Sequence, residues 1–252
     1  MINIAIKAAK EGGQIALGYF KHIPKVNYKP DNSPVTKADI EAEKTIRKII
    51  LSKFPDHGFI GEELGNTNPK AKYHWVVDPI DGTKSFVRGI KEWGTLLAVL
   101  EDGKPIIGIY NSPATNEIFT CQKGKGTYLN NKKTHVSKVK DLKKSFIVHS
   151  SINHFIATDN VDNIVTIAKI AQGKRGASDC SGINMVLKGQ ADVNISGHGS
   201  IWDYAAPAIL VTEAGGRFTD FAGRFSLTTD TGIFSNGLVH KQVLNILNTK
   251  QS

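Results

Sequence analysis

Apolar residues recur every three or four positions from the start of the chain. Ala5, Ala8, Gly12, Ile15 and Tyr19 share one face of a 3.6-residue period, which predicts an amphipathic first helix. A polar loop with Pro30 and Pro34 follows. Thr36-Lys37-Ala38-Asp39 then has the form of a capping box, opening a second helix whose apolar face is Ile46, Ile49, Ile50 and Phe54. Beyond Pro55 the period becomes that of strands. Phe59-Ile60 and Trp75-Val76-Val77 are short apolar runs, each leading into acidic residues. Residues 94–100, 106–110 and 117–121, joined by Asp102-Gly103 and Ser112-Pro113, predict an antiparallel meander.

The second half predicts a strand at 145–149, helices at 161–171 and 183–187, a strand at 191–195 and a helix at 202–214. Pro207 falls about one turn into the last of these, where its missing N–H matters least. Gly215-Gly216 ends that helix, a strand at 217–221 follows, and a helix at 237–247 closes the chain. Strands come in groups with helices between the groups. The pattern therefore predicts a layered α/β fold with a mixed sheet and not a strict βαβ repeat. There is no internal repeat or linker, so residues 1–252 read as one unit with a soft boundary near Lys144.

Composition narrows the class. No apolar run approaches the ~18 residues of a membrane span, and the first twenty residues lack the continuous apolar segment of a signal peptide. Two cysteines, Cys121 and Cys180, form no disulfide framework or zinc motif and read as inert buried thiols. A soluble cytoplasmic enzyme is the expectation. The net charge of +9 is concentrated: residues 123–144 hold eight lysines against Asp141 alone, +7 of the total. With turn signals around them and few aromatics, these lysines read as a solvated hairpin, the alternative being a phosphate- or RNA-facing patch.

The candidate chemistry lies in the carboxylates. Glu62 and Glu63 end one apolar run, Asp78 ends another with Asp81 three residues on, and Asp203 opens a late helix. Clustering acids after strand ends is costly unless something positive binds there. In Asp78-Pro79-Ile80-Asp81, Pro79 fixes its own φ and restricts Asp78, so that two carboxylates can face one spot. Oxygen ligands without His or Cys suit Mg²⁺ or Mn²⁺ over zinc. Gly82-Thr83 follows, between a turn and a helix start, where free N–H groups can cradle a phosphate. Taken singly, each acid could equally be a helix cap or a turn residue. Together they point to phosphoryl transfer to water.

Three segments carry a resemblance. Gly61-Glu62-Glu63, then Trp75-Val-Val-Asp78-Pro-Ile-Asp81-Gly-Thr83, then Trp202-Asp203-Tyr-Ala-Ala-Pro through Glu213-Ala-Gly-Gly216 resemble the inositol monophosphatase superfamily, in order and over nearly the whole chain. The resemblance implies that family's layered αβαβα sandwich, of the fructose-1,6-bisphosphatase-like type, and Mg²⁺-dependent, Li⁺-sensitive hydrolysis of a small phosphomonoester by a homodimer. It implies that Glu62, Asp78 and the Ile80 carbonyl hold a first metal, and that Asp78, Asp81 and Asp203 hold a second. A third, weaker metal near Glu62 and Glu63 is common in such enzymes. Thr83 and Asp39 would orient the attacking water, although Asp39 also fits the plain role of a capping-box acid. Trp202 is expected beneath the site, and His198 as a loop histidine and not a ligand.

Three departures bear on the substrate. Lys84-Ser85-Phe86 replaces the Thr-Asn-Phe usual in inositol phosphatases, and Ser196 stands where they tend to carry an acid. Arg175-Gly176-Ala-Ser-Asp179 and Gly-Thr-Lys-Ser-Phe resemble the superfamily's histidinol-phosphate phosphatases. Gly82, Thr83, Lys84, Asp179 and Ser196 are therefore the expected substrate contacts. Asp179 faces the rival reading of a helix cap or a partner of Arg175. Histidinol phosphate is favoured slightly over inositol monophosphate, and an RNA- or transcription-associated binding protein on the same fold is the reading from another class.

Overall fold

The computed structural model describes residues 1–20, 22, 25–29, 34–177 and 179–249. Pro30 and Ser178, in the loop and in the Asp179 segment of the sequence reading, lie outside the described residues.

The elements in chain order are α1 (Ile2–Phe20), β1 (Asn27–Tyr28), β2 (Pro34–Val35), α2 (Lys37–Leu51), β3 (Gly58–Gly61), β4 (Gly65–Thr67), β5 (Tyr73–Asp81), α3 (Thr83–Phe86), β6 (Gly94–Glu101), β7 (Lys104–Ser112), β8 (Glu117–Gln122), β9 (Thr127–Leu129) and β10 (Lys132–Thr134). After a 3-10 turn at Leu142–Lys144 come β11 (Phe146–His149), α4 (Ile152–Ala157), α5 (Val161–Ile170), β12 (Gly173–Gly176), α6 (Asp179–Leu187), β13 (Val193–Ser196), α7 (Ile201–Glu213), β14 (Arg217–Thr219), β15 (Gly232–Ser235) and α8 (His240–Leu247).

Beside a two-stranded β1–β2 ribbon, the strands form two mixed sheets, as the αβαβα resemblance implies, where the hydrophobic pattern alone suggested one. An eight-stranded sheet has the order β10-β9-β8-β7-β6-β5-β3-β4, and a five-stranded sheet the order β12-β11-β13-β15-β14. α1 and α2 cover the outer face of the first, α6 and α7 lie between the sheets, and α4, α5 and α8 cover the second. This is the αβαβα sandwich. α7 shows why the middle layer is helical: eight consecutive residues, Tyr204 to Val211, are buried, and a helix apolar all round has to be enclosed.

Several local readings are corrected. α2 ends at Leu51, so Phe54 packs on the same core from beyond the helix. α8 begins at His240, three residues late, and α6 begins at Asp179, before Ile183. α7 begins at Ile201, so Pro207 is its seventh residue, past the first turn, and removes the N–H that would bond the Asp203 carbonyl. β4, β12, β15 and α4 had no periodicity long enough to predict them. The lysine-rich hairpin forms at β9–β10 across Asn130 and Asn131, both at positive φ, and all eight of its lysines are exposed.

Candidate active site

β5 is buried on both faces, and its alternation sets the site. Trp75 and Val77 point into the core beneath α1 and α2, while Val76 points toward α7. Period-two alternation puts Asp78 on the α7 side as well. Asp81, three residues on, would face the other way in a regular strand. Asp78 pairs with Leu96 but Asp81 with Gly94, so β5 carries one extra residue over this stretch. That bulge returns Asp81 to the side of Asp78. The turn between them is fixed by the Ile80 N–H, which donates to Asp78 Oδ1 at 3.0 Å, and by Thr95 Oγ1, which donates to the Pro79 carbonyl at 2.9 Å. The Ile80 side chain is anchored in a small core with Phe86 and Trp93.

Asp203 comes from α7, in the other half of the chain. It is the third residue of that helix, and its Oδ2 accepts the Ser200 N–H. One oxygen of Asp78, Asp81 and Asp203 each lies within 4.8 Å of the others. Burial, then the charges of Glu62, Asp81 and Asp203, push the Asp78 carboxyl well above the usual range. Asp81 is raised likewise by burial and by Asp179 and Asp203, although the Cys180 N–H bonds its Oδ2. Asp203 is pushed up to about 7, mainly by burial. Three carboxylates that resist ionising together mark a place that a cation would stabilise, and an all-oxygen donor set fits a hard divalent ion.

Glu62 and Glu63 follow β3, and Lys29 Nζ bonds one oxygen of each at 2.7 Å. Glu63 is raised to about 7, first by burial and then by Glu62, against the Lys29 interaction. The sequence reading missed Glu43. This buried α2 side chain accepts the Glu63 and Leu64 N–H groups at 2.8 and 3.1 Å and so holds the acidic turn in place. An acid four residues before Arg47 gave the only signal, and it reads as an ordinary helix pair.

Asp39 serves both of its candidate roles geometrically. Its Oδ2 accepts the Thr36 N–H at 2.8 Å and the Thr36 hydroxyl at 2.7 Å, closing the capping box. Its Oδ1 lies 3.5 Å from Thr83 Oγ1, which donates to the Ile80 carbonyl at 3.0 Å. Burial raises Asp39 to about 6 despite the Thr36 bonds. Gly82 precedes Thr83 at φ +88°, where a Cβ would also come 2.9 Å from the Glu92 carbonyl oxygen, so the turn into α3 requires glycine.

These residues line a cavity of about 580 Å³, which takes in Glu62, Asp78, Ile80, Asp81, Gly82, Thr83, Lys84, Asp179, Ser196 and Asp203. Asp39 stands behind Thr83, and none of the eight lysines of 123–144 borders the cavity. Asp179 sits at φ +59° as the first residue of α6, its charge felt by both Asp81 and Asp203. Ser196 Oγ donates to the His198 carbonyl at 2.8 Å. Trp202, expected beneath the site, is half-buried and forms part of the cavity wall, as does exposed His198. Cys180 also borders the cavity, and burial raises both free thiols far above the ordinary value.

Comparison with known proteins agrees with this geometry. The model of the inositol monophosphatase family matches residues 1–252. A histidinol-phosphatase of Chlorobaculum parvum is 33% identical over 235 residues, covering 93% of this chain and 91% of its own. The Nus factor SuhB of Vibrio cholerae is 32% identical over 231 residues, 88% of this chain and 86% of its own. The solved structure of an IMPase from Thermotoga maritima superposes with a TM-score of 0.87 at 30% identity, covering 98% of this chain and 96% of that one. The family match over the whole chain and these relatives show that the chain belongs to the inositol monophosphatase family and is a phosphoric monoester hydrolase of that family.

Proposed function

We propose that the enzyme is a Mg²⁺-dependent phosphomonoesterase whose preferred substrate is histidinol phosphate. The observation that carries the phosphatase chemistry is the trio Asp78, Asp81 and Asp203, oxygens within 4.8 Å, beside the start of α3. In this reading Glu62, Asp78, the Ile80 carbonyl, Asp81 and Asp203 hold Mg²⁺, with Mn²⁺ as a substitute. Mg²⁺ held by these residues would supply the acidification of a water and the neutralisation of charge on the leaving oxygen. The chain's own groups do the rest. Thr83 and Asp39 orient the attacking water, Asp39 being a base whose pKa of about 6 leaves it mostly ionised near neutrality and able to accept the water's proton. The Gly82 and Thr83 amides and Lys84 bind the phosphate. Asp179 and Ser196 meet the alcohol.

The substrate follows from the alcohol side. Metals and amides see only the phosphate that all candidate esters share. Asp179 and Asp230 are the acids of the cavity wall beyond them, Asp179 the one whose charge reaches Asp81 and Asp203, and histidinol carries an ammonium and an imidazole that an acid can bind. Relatives named histidinol-phosphatase at 33–35% identity support the same choice. Inositol monophosphate is the alternative, supported by the IMPase likeness. A role in transcription is the second reading, favoured by the exposed lysines of 123–144 and by relatives named Nus factor. We further place the enzyme in the cytoplasm as a Li⁺-sensitive homodimer working as one unit, since the candidate site joins Asp39–Asp81 to Asp203 across Lys144. No helix among the described residues is long and apolar enough to cross a membrane.

Phosphate release from a panel of small phosphomonoesters with Mg²⁺ tests the proposal. Histidinol phosphate should give the highest kcat/KM. A higher value for inositol 1-phosphate would transfer the assignment, and no release from any ester would overturn the phosphatase reading. RNA binding that falls steeply with salt and depends on Lys132, Lys133, Lys143 and Lys144 would support the second reading.

A further inference from the structure

Asp39, Glu43 and Arg47 follow one another at intervals of four along α2, a spacing that keeps them in one row on the helix. Asp39 and Glu43 are buried and Arg47 is half-buried. Asp39 meets Thr83 at one end of the row, and the other two residues grip the turn that carries Glu62. That turn is pinned at four successive positions. The Glu62 N–H donates to the Val77 carbonyl of β5 at 3.2 Å, and the Glu63 and Leu64 N–H groups donate to the Glu43 carboxylate at 2.8 and 3.1 Å. Arg47 Nη2 donates to the Gly65 carbonyl. Arg47 also pairs with Glu43 at 3.6 Å and lies over the Phe59 ring of β3, 4.5 Å from its centroid. A Cβ on Gly61 would run into the Glu43 carboxylate, so β3 enters the turn on a glycine.

This is a costly way to satisfy two backbone donors. Glu43 places a third carboxylate, fully buried, beside Glu62 and Glu63, and only Arg47 offsets its charge. Residues 62–64 are partly exposed, so water could satisfy the same N–H groups. Water cannot fix them in place. What the clamp adds is a rigid starting point for the Glu62 side chain, which lines the cavity beside Asp78.

We propose that Glu43, backed by Arg47, is a positioning residue that sets the Mg²⁺ affinity of the Glu62 side of the candidate metal site. With the turn held, Glu62 is in place before any ion arrives. With the turn freed, its ordering has to be drawn from the binding of the ion, and affinity falls. Because Asp39 stands on the same helix, the clamp also keeps Glu62 and the water-orienting acid in fixed relation. The inference rests on the Mg²⁺-dependent phosphatase reading but not on the choice of substrate.

The test titrates Mg²⁺ into wild type, Glu43→Gln, Glu62→Gln and the double variant, by calorimetry and by phosphate release from the best ester of the panel. Gln keeps the length of Glu but turns an NH₂ group toward one of the two N–H donors. Glu43→Gln should weaken Mg²⁺ binding by about tenfold and raise the half-saturating Mg²⁺ for phosphate release in parallel. Excess Mg²⁺ should return most of kcat. In the double variant Glu43→Gln should add little to the loss from Glu62→Gln, because it acts through that residue. A folded Glu43→Gln with unchanged Mg²⁺ affinity, a kcat loss that excess Mg²⁺ does not recover, or losses that add in full would overturn the assignment. If Glu43→Gln fails to fold, Arg47→Met, which keeps a stem over Phe59 and drops the Gly65 contact, should show the same shift at smaller size. Unchanged Mg²⁺ affinity in that variant would equally overturn the assignment. Wild-type protein that neither binds Mg²⁺ nor releases phosphate would instead overturn the reading beneath it.

Discussion

Asp39 and Asp203 occupy the same place in two different helices. Each is the third residue and each accepts the N-cap backbone N–H with one carboxylate oxygen, and Asp39 thereby holds its other oxygen 3.5 Å from Thr83 Oγ1. The cap fixes the rotamer, so a bond that stabilises the helix also aims the functional atom. In Asp39 the capping contact and the contact with Thr83 are carried by different oxygens of one side chain.

That division separates two substitutions. Asp39→Asn keeps an oxygen able to accept the Thr36 N–H but loses the base. Its melting temperature should stay near wild type while kcat falls by about two orders of magnitude, the range of a lost general base. Asp39→Ala loses the cap as well and should cost about 1 kcal/mol of stability in addition. Thermal melts and steady-state kinetics on both variants check this. Equal melting losses would show that Asn does not keep the cap.

Asp78 gives a prediction of opposite signs for activity and stability. In the metal-free protein its charge is opposed by burial and by three neighbouring acids, so Asp78→Asn should raise the melting temperature at pH 8. The same change removes a ligand from the proposed metal site and should reduce kcat by at least about a hundredfold. A destabilised, active variant would contradict both halves of the argument.

The sequence made the carboxylates legible, but not the means by which they converge. Asp78, Asp81 and Asp203 could be picked out because acids directly after apolar runs break the expected pattern. Pro79 marks the turn at which Asp78 and Asp81 converge, but the bulge that turns Asp81 toward Asp78 is set by pairing with Leu96 and Gly94 on another strand and could not be read locally. Glu43 was invisible for a similar reason: its partners are backbone N–H groups twenty residues away. Long periodic elements such as α1 and the β6–β8 meander were readable. β12 and β15 are four residues each and gain their identity only from neighbours in the second sheet.

Metal binding should depend on pH through the raised carboxyls. An acid whose folded pKa is raised contributes stability that is full below its unfolded value, near 4, and is lost as pH rises through the folded value. For Asp203 that value is about 7. The metal-free enzyme should therefore lose stability at Asp203 as pH rises from about 4 to about 7. Added Mg²⁺ should restore it by mass action, about 2.7 kcal/mol at a hundred times Kd, with the largest melting shift at pH 8 and little below pH 6. Melting scans with and without Mg²⁺ across that range decide the point.

His240 works in the other direction, away from the cavity. Its fully buried ring lies 2.9 Å from Thr219 Oγ1 through Nε2 and 2.7 Å from Ser235 Oγ through Nδ1. Burial, then Arg217, depresses it to about 4. Above pH 6.5 the ring is neutral in both folded and unfolded chains. As pH falls from there to about 4 the unfolded chain takes up a proton that the folded one refuses, so stability is lost across that window, by up to about 3 kcal/mol. His240→Gln should be less stable at pH 7.5, having lost a packed ring and two hydrogen bonds, yet should lose less on acidification. Urea unfolding of both proteins at pH 7.5, 6 and 4.5 measures the difference, and parallel pH profiles would refute it.

Asp179 provides the sharpest test of substrate choice. It opens α6 in a left-handed backbone conformation and faces the cavity from the chain's second half, while the phosphate groups come from Gly82–Lys84 in the first. A charge-assisted bond to a cationic alcohol is worth about 1.5–3 kcal/mol, or a tenfold to hundredfold effect, and a neutral polyol gains much less from the same charge. Asp179→Asn should accordingly lower kcat/KM for histidinol phosphate tenfold or more and change inositol 1-phosphate hydrolysis little. Because the Asp179 charge also raises Asp81 and Asp203, its removal should ease their ionisation, so any effect shared by the two substrates should grow at low pH, where those groups begin to protonate. Measured at pH 8, the two substrates on one purified variant isolate the alcohol contact. An equal loss on both would reduce Asp179 to a residue that shapes the start of α6.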